Sequence, residues 1–269
     1  MKESLRLLAV FPHPDDESLG LGGTLARYSA EGVETYLVCA TRGERGWNGP
    51  EEDDPGFEAL GRIREAELRC ASDQLGLKEV NLLDLIDGEV DQAEPARVIA
   101  KICAHIRRIR PQVVITFSLD GNYGHPDHIA LAQLTAGALV CAADAGYRDP
   151  EDQPPYRVSK FYHMVDSTSM VDAFRAAFGG ISMEVDGAER GQFGWEEWAV
   201  TTRIDAQDYF ERVWQAVLCH RSQLPGYGPL AELPYETRLR FWCEGTFVRV
   251  FSLVNGGRAV ERDLFEGLR

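Results

Sequence analysis

The first 145 residues alternate between two patterns of apolar and polar positions. Short apolar runs of strand length are each followed by a stretch whose apolar side chains recur at helical spacing. The predicted strands are Leu5–Phe11, Glu34–Thr41, Val80–Leu85 and Val113–Ser118. The predicted helices are Ser18–Gly32, Arg62–Leu75, Pro95–Arg110 and Ile129–Ala145. This order of elements predicts an α/β fold with a Rossmann-like, mostly parallel sheet flanked by helices.

The pattern changes after residue 146, where the polar and proline-rich connector RDPEDQPPYR follows. Beyond it the sequence predicts a mixture of strands and helices instead of a regular alternation. The predicted strands are Lys160–Val165, a segment near Trp198–Ile204 and Thr246–Val254, and the predicted helices are a segment capped by Ser169 and Asp208–His220. We therefore expect a core over residues 1–146 and a mixed α/β C-terminal elaboration over residues 147–269, joined in one continuous domain.

A long loop follows the second predicted strand. Residues 42–61, RGERGWNGPEEDDPGFEALG, are rich in glycine and acidic residues. Loops of this length are uncommon in compact domains unless they have a function or are disordered. Because Trp47 lies within the loop, we predict a lid that contacts a ligand.

The charge of the chain restricts its partners. Hydrophobic residues make up 44% of the 269 positions and charged residues 26%, which is usual for a globular protein. The net charge of −15 repels polyanions, so neither nucleic acid nor an anionic membrane is predicted as a partner. No stretch approaches the roughly 18 apolar residues of a spanning helix, and the start MKESLRLLAVF is too short for a signal peptide, so no membrane insertion is predicted.

The cysteines predict a reducing compartment. The six cysteines are scattered along the chain without a CxxC pair, and most stand in apolar surroundings. This usage is typical of buried free thiols, so we expect a cytoplasmic protein. The sequence leaves the oligomeric state open, and a homo-oligomer is among the states it allows.

Two similar acidic motifs follow the first and the fourth predicted strands. The first is HPDDE at residues 13–17, and the second is HPDH at residues 125–128, within DGNYGHPDH. Ligands of open parallel sheets bind beyond the carboxyl ends of the strands, where the strand order reverses. If the first and fourth strands are neighbours there, the two motifs meet. Neighbouring carboxylates repel one another unless something positive is bound among them, so we predict a cation site.

The residue types in the two motifs suit a zinc ion. His13 and Asp16 lie three positions apart across a tight turn, so both side chains can point at one ion. Together with His128 they form a set of two imidazoles and one carboxylate, and a catalytic zinc site keeps three protein ligands and one open position. We therefore predict one Zn²⁺ per chain, with His13, Asp16 and His128 as its ligands.

The remaining polar residues of the motifs suit hydrolysis. Asp15 is predicted as the general base that takes a proton from water. His125 is predicted to stabilise the oxyanion that forms when water adds to a carbonyl, and Asp127 to hold a histidine in the correct tautomer. Glu17 is predicted to be only a favourable charge at the N-terminus of the following helix.

Other interpretations of the motifs exist. Each motif alone is typical of a turn in which aspartate caps a helix. A nucleotide-binding Rossmann-like enzyme is a further alternative, but the chain lacks GxGxxG after the first strand and carries acids where phosphate would bind. A non-catalytic metal-dependent binding protein would need only the ligands, and the presence of Asp15 and His125 argues against it.

The two motifs also resemble a known family. HPDD near the N-terminus and YGHPDH in the middle of the chain are similar to the LmbE-like (PIG-L) zinc-dependent N-deacetylases, which include the deacetylases of mycothiol, bacillithiol and glycosylphosphatidylinositol biosynthesis. The resemblance extends over most of the first 135 residues. It implies a hydrolase that removes an N-acetyl group from a small N-acetylglucosamine-type sugar conjugate. The alternative on the same fold is a zinc hydrolase of a non-sugar amide or ester.

The resemblance also implies residues that bind the substrate. Tyr123 matches a position that helps polarise the substrate carbonyl. The segment RIREAELRCASDQLG resembles an RxxE helix whose first arginine contacts the sugar, which implies Arg62, with Arg64 as the second choice. Asp87 in LLDLIDGEV is similar to an aspartate that binds sugar hydroxyls.

A further match lies in the C-terminal half. VLCHRSQ at residues 217–223 resembles the C-terminal HxSQ signature of the family, and we interpret His220 as a packed structural histidine. Residues 146–210 match nothing in the family, so the sequence leaves the group attached to the sugar unidentified.

Overall fold

The computed structural model describes residues 4–227 and 230–269 and contains one large sheet and one small hairpin. The strands are β1 (Arg6–Phe11), β2 (Glu34–Cys39), β3 (Glu79–Leu82), β4 (Val113–Phe117), β5 (Lys160–Met164), β6 (Ser182–Val185), β7 (Ala188–Gly191), β8 (Thr202–Asp205) and β9 (Glu244–Ser252). The helices are α1 (Asp16–Leu19), α2 (Gly22–Ala30), α3 (Phe57–Leu75), α4 (Pro95–Ile109), α5 (Gly121–Gly124), α6 (Pro126–Ala143), α7 (Thr168–Phe178), α8 (Phe210–Cys219) and α9 (Tyr235–Cys243).

The large sheet confirms the predicted fold class. Its strand order is β3-β2-β1-β4-β5-β9-β8. The strands from β3 to β5 run parallel, whereas β9 is antiparallel to both β5 and β8. The C-terminal strands β8 and β9 therefore continue the sheet of the N-terminal half. The separate hairpin β6–β7 is absent from the sequence prediction.

Both faces of the sheet are covered, so its central strands are apolar throughout. Leu7, Ala9 and Phe11 of β1 point into one cluster, and Leu8 and Val10 point into the other. Helices α2, α3, α8 and α9 complete the first cluster, and α4 and α6 complete the second. Each fully buried Leu or Val side chain contributes about 1.5–3 kcal/mol to stability. The two clusters hold β1 and β4 side by side, which is what positions the site.

Three of the four helices predicted in the N-terminal half differ from the observed ones, whereas α4 begins at Pro95 as predicted. The predicted helix 18–32 is interrupted after Leu19, where Gly20 packs so closely on Met164 that a Cβ would lie 2.5 Å from its Cε atom. Helix α3 begins at Phe57, which removes the last five residues from the predicted loop 42–61. Helix α6 begins at Pro126, because proline is well suited to a first helical position. As a result, most of the HPDH motif is helical.

Two cysteines form a disulfide, so the prediction of free thiols is wrong for this pair. Cys70 of α3 is bonded to Cys219 of α8, with a Cα–Cα distance of 5.8 Å and a sequence separation of 149. The packing of α3 on α8 brings them together, and their spacing along the chain could not indicate it. The remaining cysteines are free. Among the described residues, no helix is both long and apolar enough to cross a membrane.

Candidate active site

The two acidic motifs converge on one open pocket. Strands β1 and β4 are neighbours, with Leu7 opposite Val113, so the loops after them lie side by side at the carboxyl edge of the sheet. The pocket has a volume of about 380 Å³. Its walls come from both motifs, from the loop after β2, from α3, from the loop after β3 and from the segment after α8. The lining residues are His13, Asp15, Asp16, Arg45, Gly46, Asn48, Arg64, Asp87, Gly88, Tyr123, His125, His128 and Gln223.

The three predicted zinc ligands face one another in this pocket. Nδ1 of His13 lies 3.7 Å from Oδ2 of Asp16, and Nε2 of His128 lies 3.9 Å from Oδ1 of Asp16. His128 is buried, and its Nε2 atom makes no hydrogen bond with any residue that the structure describes. A buried polar atom without a partner is costly. A cation between the three side chains would satisfy it, so the donor set fits a zinc ion.

The orientation of His13 also suits a metal ligand. Its Nε2 atom lies 3.1 Å from Oδ1 of Asp87 and 3.2 Å from Oδ2 of Asp127. Burial disfavours the charged ring, but the hydrogen bonds with Asp127 and Asp87 outweigh burial and raise the pKa of His13 to about 10. Without a metal the ring is therefore a cation with a proton on each nitrogen. A metal bound at Nδ1, the nitrogen that faces Asp16, would displace the Nδ1 proton, while both acids accept the proton on Nε2. Asp127, which the sequence predicts to hold a histidine in the correct tautomer, thus lies within hydrogen-bond distance of His13.

Asp127 is itself fixed by the backbone. It is fully buried at the first turn of α6, and its two carboxylate oxygens accept hydrogen bonds from the amides of Gly88 and Val90 at 2.8 and 3.1 Å. Asp87, which the family resemblance assigned to the sugar, lies in the pocket wall. Its Oδ2 atom accepts the amide of Arg45 at 3.0 Å. These contacts tie the loops after β2 and β3 to the His13 ring.

His125 is arranged as a hydrogen-bond donor. Nitrogens of His13, His125 and His128 lie within 4.8 Å of one another, so this trio is a second geometric candidate for a metal. However, His125 caps α6, and its Nδ1 atom accepts the amide of Asp127 at 3.2 Å. Burial and the charge of His13 lower the pKa of His125 to about 4. A neutral ring that accepts at Nδ1 carries its proton on Nε2, which suits donation to an oxyanion rather than metal binding.

Asp15 and Tyr123 complete the polar wall. Asp15 lies in the left-handed region with φ 118°, and its Oδ2 atom accepts a hydrogen bond from Nη2 of Arg64 at 3.2 Å. Tyr123 packs edge-on against the rings of His125 and His128. Burial, reinforced by the charges of Asp16 and Asp15, raises the pKa of Tyr123 well above its usual value. Its hydroxyl group is therefore protonated and can donate a hydrogen bond.

Arg62 is not in the pocket, and the second choice, Arg64, takes its place. The side chain of Arg62 is 71% exposed and faces Glu58 on the outer side of α3. Arg64 is buried and donates hydrogen bonds to the carbonyl groups of Gly43 and Pro14 at 2.9 and 2.6 Å. A Cβ on Gly43 would lie 2.3 Å from Nη1 of Arg64. The physical reason for the correction is helical phase, because α3 turns residue 64 inward and residue 62 outward.

Several pocket residues were missed by the sequence analysis. Arg45, Gly46 and Asn48 of the predicted lid line the pocket, whereas Trp47 does not and instead donates its indole N–H to the carbonyl of Pro50. Gln223 also lines the pocket. The HxSQ signature pointed to Gln223, but its place in the pocket could not be derived from spacing.

A buried ion pair below the first motif was also missed. The carboxylate of Glu17 lies 2.8 Å from Nε2 of His220, and both side chains are fully buried. Burial opposes both charges, but the mutual attraction lowers the pKa of Glu17 and raises that of His220. Glu17 is therefore more than a favourable helix charge, and His220 does more than pack the C-terminal helix.

Comparisons with known proteins agree with this site. Residues 8–139 match the PIG-L family, described as GlcNAc-PI de-N-acetylase. A 1D-myo-inositol 2-acetamido-2-deoxy-alpha-D-glucopyranoside deacetylase from Thermobispora bispora is 33% identical, over 83% of this chain and 81% of its own length. A mycothiol S-conjugate amidase from Streptomyces coelicolor is 30% identical, over 100% of this chain and 99% of its own length.

Solved structures show the same fold. A conserved protein from Thermus thermophilus matches with a TM-score of 0.65 and 27% identity, over 94% of this chain and 97% of that chain. An N,N'-diacetylchitobiose deacetylase from Pyrococcus horikoshii matches with a TM-score of 0.67 and 21% identity, over 93% of this chain and 85% of that chain. The family match and the sequence relatives establish that the chain belongs to the LmbE-like (PIG-L) family.

Proposed function

We propose that this protein is a zinc-dependent hydrolase that removes the N-acetyl group from an N-acetylglucosamine-type sugar conjugate. The observation that carries the proposal is the pocket in which His13, Asp16 and His128 converge while Asp15 stands beside them. The deacetylase relative from Thermobispora bispora, which aligns over 83% of this chain, supports the choice of substrate class.

His13 through Nδ1, the carboxylate of Asp16 and His128 through Nε2 would hold one zinc ion per chain. The contacts of His13 Nε2 with Asp87 and Asp127 support this choice of atom, because they leave Nδ1 for the ion. The bound ion supplies a Lewis acid that polarises the amide carbonyl and makes water more acidic.

The chain's own residues supply proton transfer and oxyanion stabilisation. Asp15 takes a proton from the attacking water as general base, with its carboxylate held by Arg64. His125 donates its Nε2–H to the developing oxyanion, and the hydroxyl group of Tyr123 helps polarise the carbonyl. When the tetrahedral intermediate collapses, the C–N bond breaks, Asp15 returns the proton to the leaving nitrogen, and acetate and the free amine remain.

The sugar is bound by polar residues of the pocket wall. We propose that Arg64, in place of Arg62, and Asp87 contact its hydroxyl groups, because both are pocket-lining and already held by other contacts. Side chains that other contacts already hold in place lose little conformational entropy when they bind such hydroxyl groups.

A second candidate is cleavage of an amide other than an N-acetyl group by the same site. The mycothiol S-conjugate amidase from Streptomyces coelicolor, which aligns with all of this chain at 30% identity, supports it. The acid that is released distinguishes the two activities, because only deacetylation yields acetate.

Acetate release from a panel of N-acetylglucosaminides tests the proposal, with zinc-loaded wild type beside Asp15→Asn. We expect wild type to release acetate, and Asp15→Asn to keep one zinc per chain while its kcat falls by about 100- to 10,000-fold, the usual contribution of a general base. The exposed Asp73 on α3 provides the matched control Asp73→Asn, which should retain full activity.

Each outcome of this assay has a defined meaning. The same assay on glucosaminides that carry longer acyl groups tests the second candidate, and release of amine from those conjugates alone would assign the amidase activity instead. Full activity in zinc-loaded Asp15→Asn would refute the role of Asp15. Absence of any release by zinc-loaded wild type would refute the substrate class.

A further inference from the structure

The segment that follows α8, residues 220–223, contacts the site from three sides. His220 reaches Glu17 in the first motif, and Ser222 donates to the carboxylate of Glu67 in α3, from its amide at 2.8 Å and its hydroxyl group at 2.7 Å. The Nε2 atom of Gln223 donates to the carbonyl of Gly46 in the loop after β2 at 2.8 Å. His220 and Glu17 are 203 positions apart in the sequence. A distant part of the chain therefore binds beneath the first motif.

Glu17 joins this segment to the backbone of Asp15. One carboxylate oxygen of Glu17, Oε1, accepts hydrogen bonds from His220 Nε2 and from the hydroxyl group of Ser18. The other oxygen, Oε2, accepts the backbone amide of Asp15 at 3.0 Å. Glu17, Ser18 and His220 are all fully buried, so water does not compete for these contacts.

Asp15 needs such a contact because its backbone conformation is unfavourable. Its φ of 118° and ψ of −27° lie in a region that residues with a side chain rarely adopt. A conformation of this kind persists only where surrounding contacts hold it. The amide of Asp15 is held by Glu17, and its carboxylate is held by Arg64.

We propose that the buried Glu17–His220 pair is a positioning device that keeps Asp15 in its left-handed conformation and so aims its carboxylate into the pocket. Glu17 and His220 are positioning residues, because neither lines the pocket. The effect on rate rests on the proposed function, in which Asp15 is the general base. The effect on the conformation of Asp15 does not depend on that function.

Two substitutions of His220 separate positioning from packing. His220→Leu removes the donor to Glu17, whereas His220→Gln places an amide N–H close to the position of Nε2. With zinc loaded, we expect His220→Leu to lower kcat by about 100-fold, the scale of a displacement of about 1 Å, with little change in KM. We expect His220→Gln to recover most of the lost kcat, because it restores the hydrogen bond.

A second buried histidine provides the matched control. His163 lies in β5, is buried, and does not line the pocket. His163→Leu therefore makes the same chemical change in the core without touching Glu17, and we expect kcat close to that of wild type. If His220→Leu does not fold, Glu17→Gln replaces it. The two carboxylate oxygens of Glu17 accept hydrogen bonds from Asp15, Ser18 and His220, whereas glutamine has a single acceptor oxygen. We expect the same loss of kcat.

A crystal structure of zinc-loaded His220→Leu, or of Glu17→Gln if the former does not fold, tests the proposal without an activity measurement. We expect Asp15 to leave the left-handed region and its carboxylate to move away from Arg64. An unchanged Asp15 φ, or a folded variant with wild-type kcat, would overturn the proposal. If wild type releases no acetate from any sugar, the proposed function fails, and the position of Asp15 in the two structures still tests the positioning device.

Discussion

Arg62 and Arg64 lie two positions apart on α3, and only the direction of the helix face separates a surface charge from a pocket residue. The apolar positions Leu60, Leu68 and Leu75 of α3 are all buried, and residue 64 lies on their side because helical neighbours are three or four positions apart. This stripe is visible in the sequence, so helical phase could have favoured Arg64. The motif alone favoured Arg62, because a motif match carries no information about which face is inward.

Arg64 and Arg62 therefore make a matched pair of variants. Arg64→Met removes charged hydrogen bonds to Asp15 and to two backbone carbonyls, each worth about 1.5–3 kcal/mol when a charged group is involved. We expect kcat/KM for acetate release to fall by at least about 10-fold. Arg62→Met removes only an exposed contact with Glu58, and kcat/KM should stay within about twofold of wild type. Equal effects of the two changes would contradict the assignment of Arg64 to the site.

At the scale of elements, the antiparallel end of the sheet depends on one buried carboxylate. Glu261 is 1% exposed and accepts hydrogen bonds from Lys160 of β5, Thr202 of β8 and Arg249 of β9. Three strands are thus joined through a residue that lies in none of them. The sequence predicted the three strands but not this connection, because it depends on where the chain after β9 returns.

The titration of Glu261 predicts the acid stability of this part of the sheet. Burial alone would raise its pKa, but hydrogen bonds from Asn255, Lys160, Thr202 and Tyr162 lower it from 4.5 to about 2. A depressed folded-state pKa contributes stability above pH 4.5 that is lost as the pH falls towards 2. The contribution is roughly 3 kcal/mol at neutral pH, from about 1.4 kcal/mol per pKa unit.

Chemical denaturation between pH 6 and pH 2.5 measures this contribution. The free energy of unfolding of wild type should approach that of Glu261→Gln as the pH falls, because protonation removes the charge that the variant already lacks. For the control Glu236→Gln, at an exposed position of α9, the free energy of unfolding should change with pH in the same way as that of wild type. If the free energies of unfolding of wild type and Glu261→Gln differed by the same amount at every pH, the charge of Glu261 would not be the source of the stabilisation.

At the scale of the whole molecule, the second half of the chain closes onto the first through α8 and the segment after it. The disulfide between Cys70 and Cys219 joins α3 to the end of α8 across 149 positions. Next to it, His220 and Ser222 contact Glu17 and Glu67 of the first half. The C-terminal half therefore supports the site from below as well as extending the sheet.

Breaking the disulfide should lower the stability of the whole chain. A cross-link over a long loop restricts the unfolded state, and removing one typically costs about 2–4 kcal/mol. We expect Cys70→Ala/Cys219→Ala to lose a similar free energy of unfolding, measured in denaturant without a reducing agent. A reducing agent should lower the stability of wild type to that of the double variant and leave the double variant unchanged. Insensitivity of wild type to the reducing agent would contradict the bond.

The sequence by itself determined the α/β class, the mostly parallel sheet and the two motifs at the ends of the first and fourth strands, and the structure showed that β1 and β4 are neighbours, so that the motifs meet. Local periodicity specifies the type of each element, and parallel topology specifies the edge of the sheet where strand ends gather. Only the tertiary structure decided that Arg64 lines the pocket beside Asp15, that Cys70 and Cys219 are bonded, and that His220 holds Glu17. These contacts join residues that are far apart in the chain, and the packing of the elements on one another brings them together.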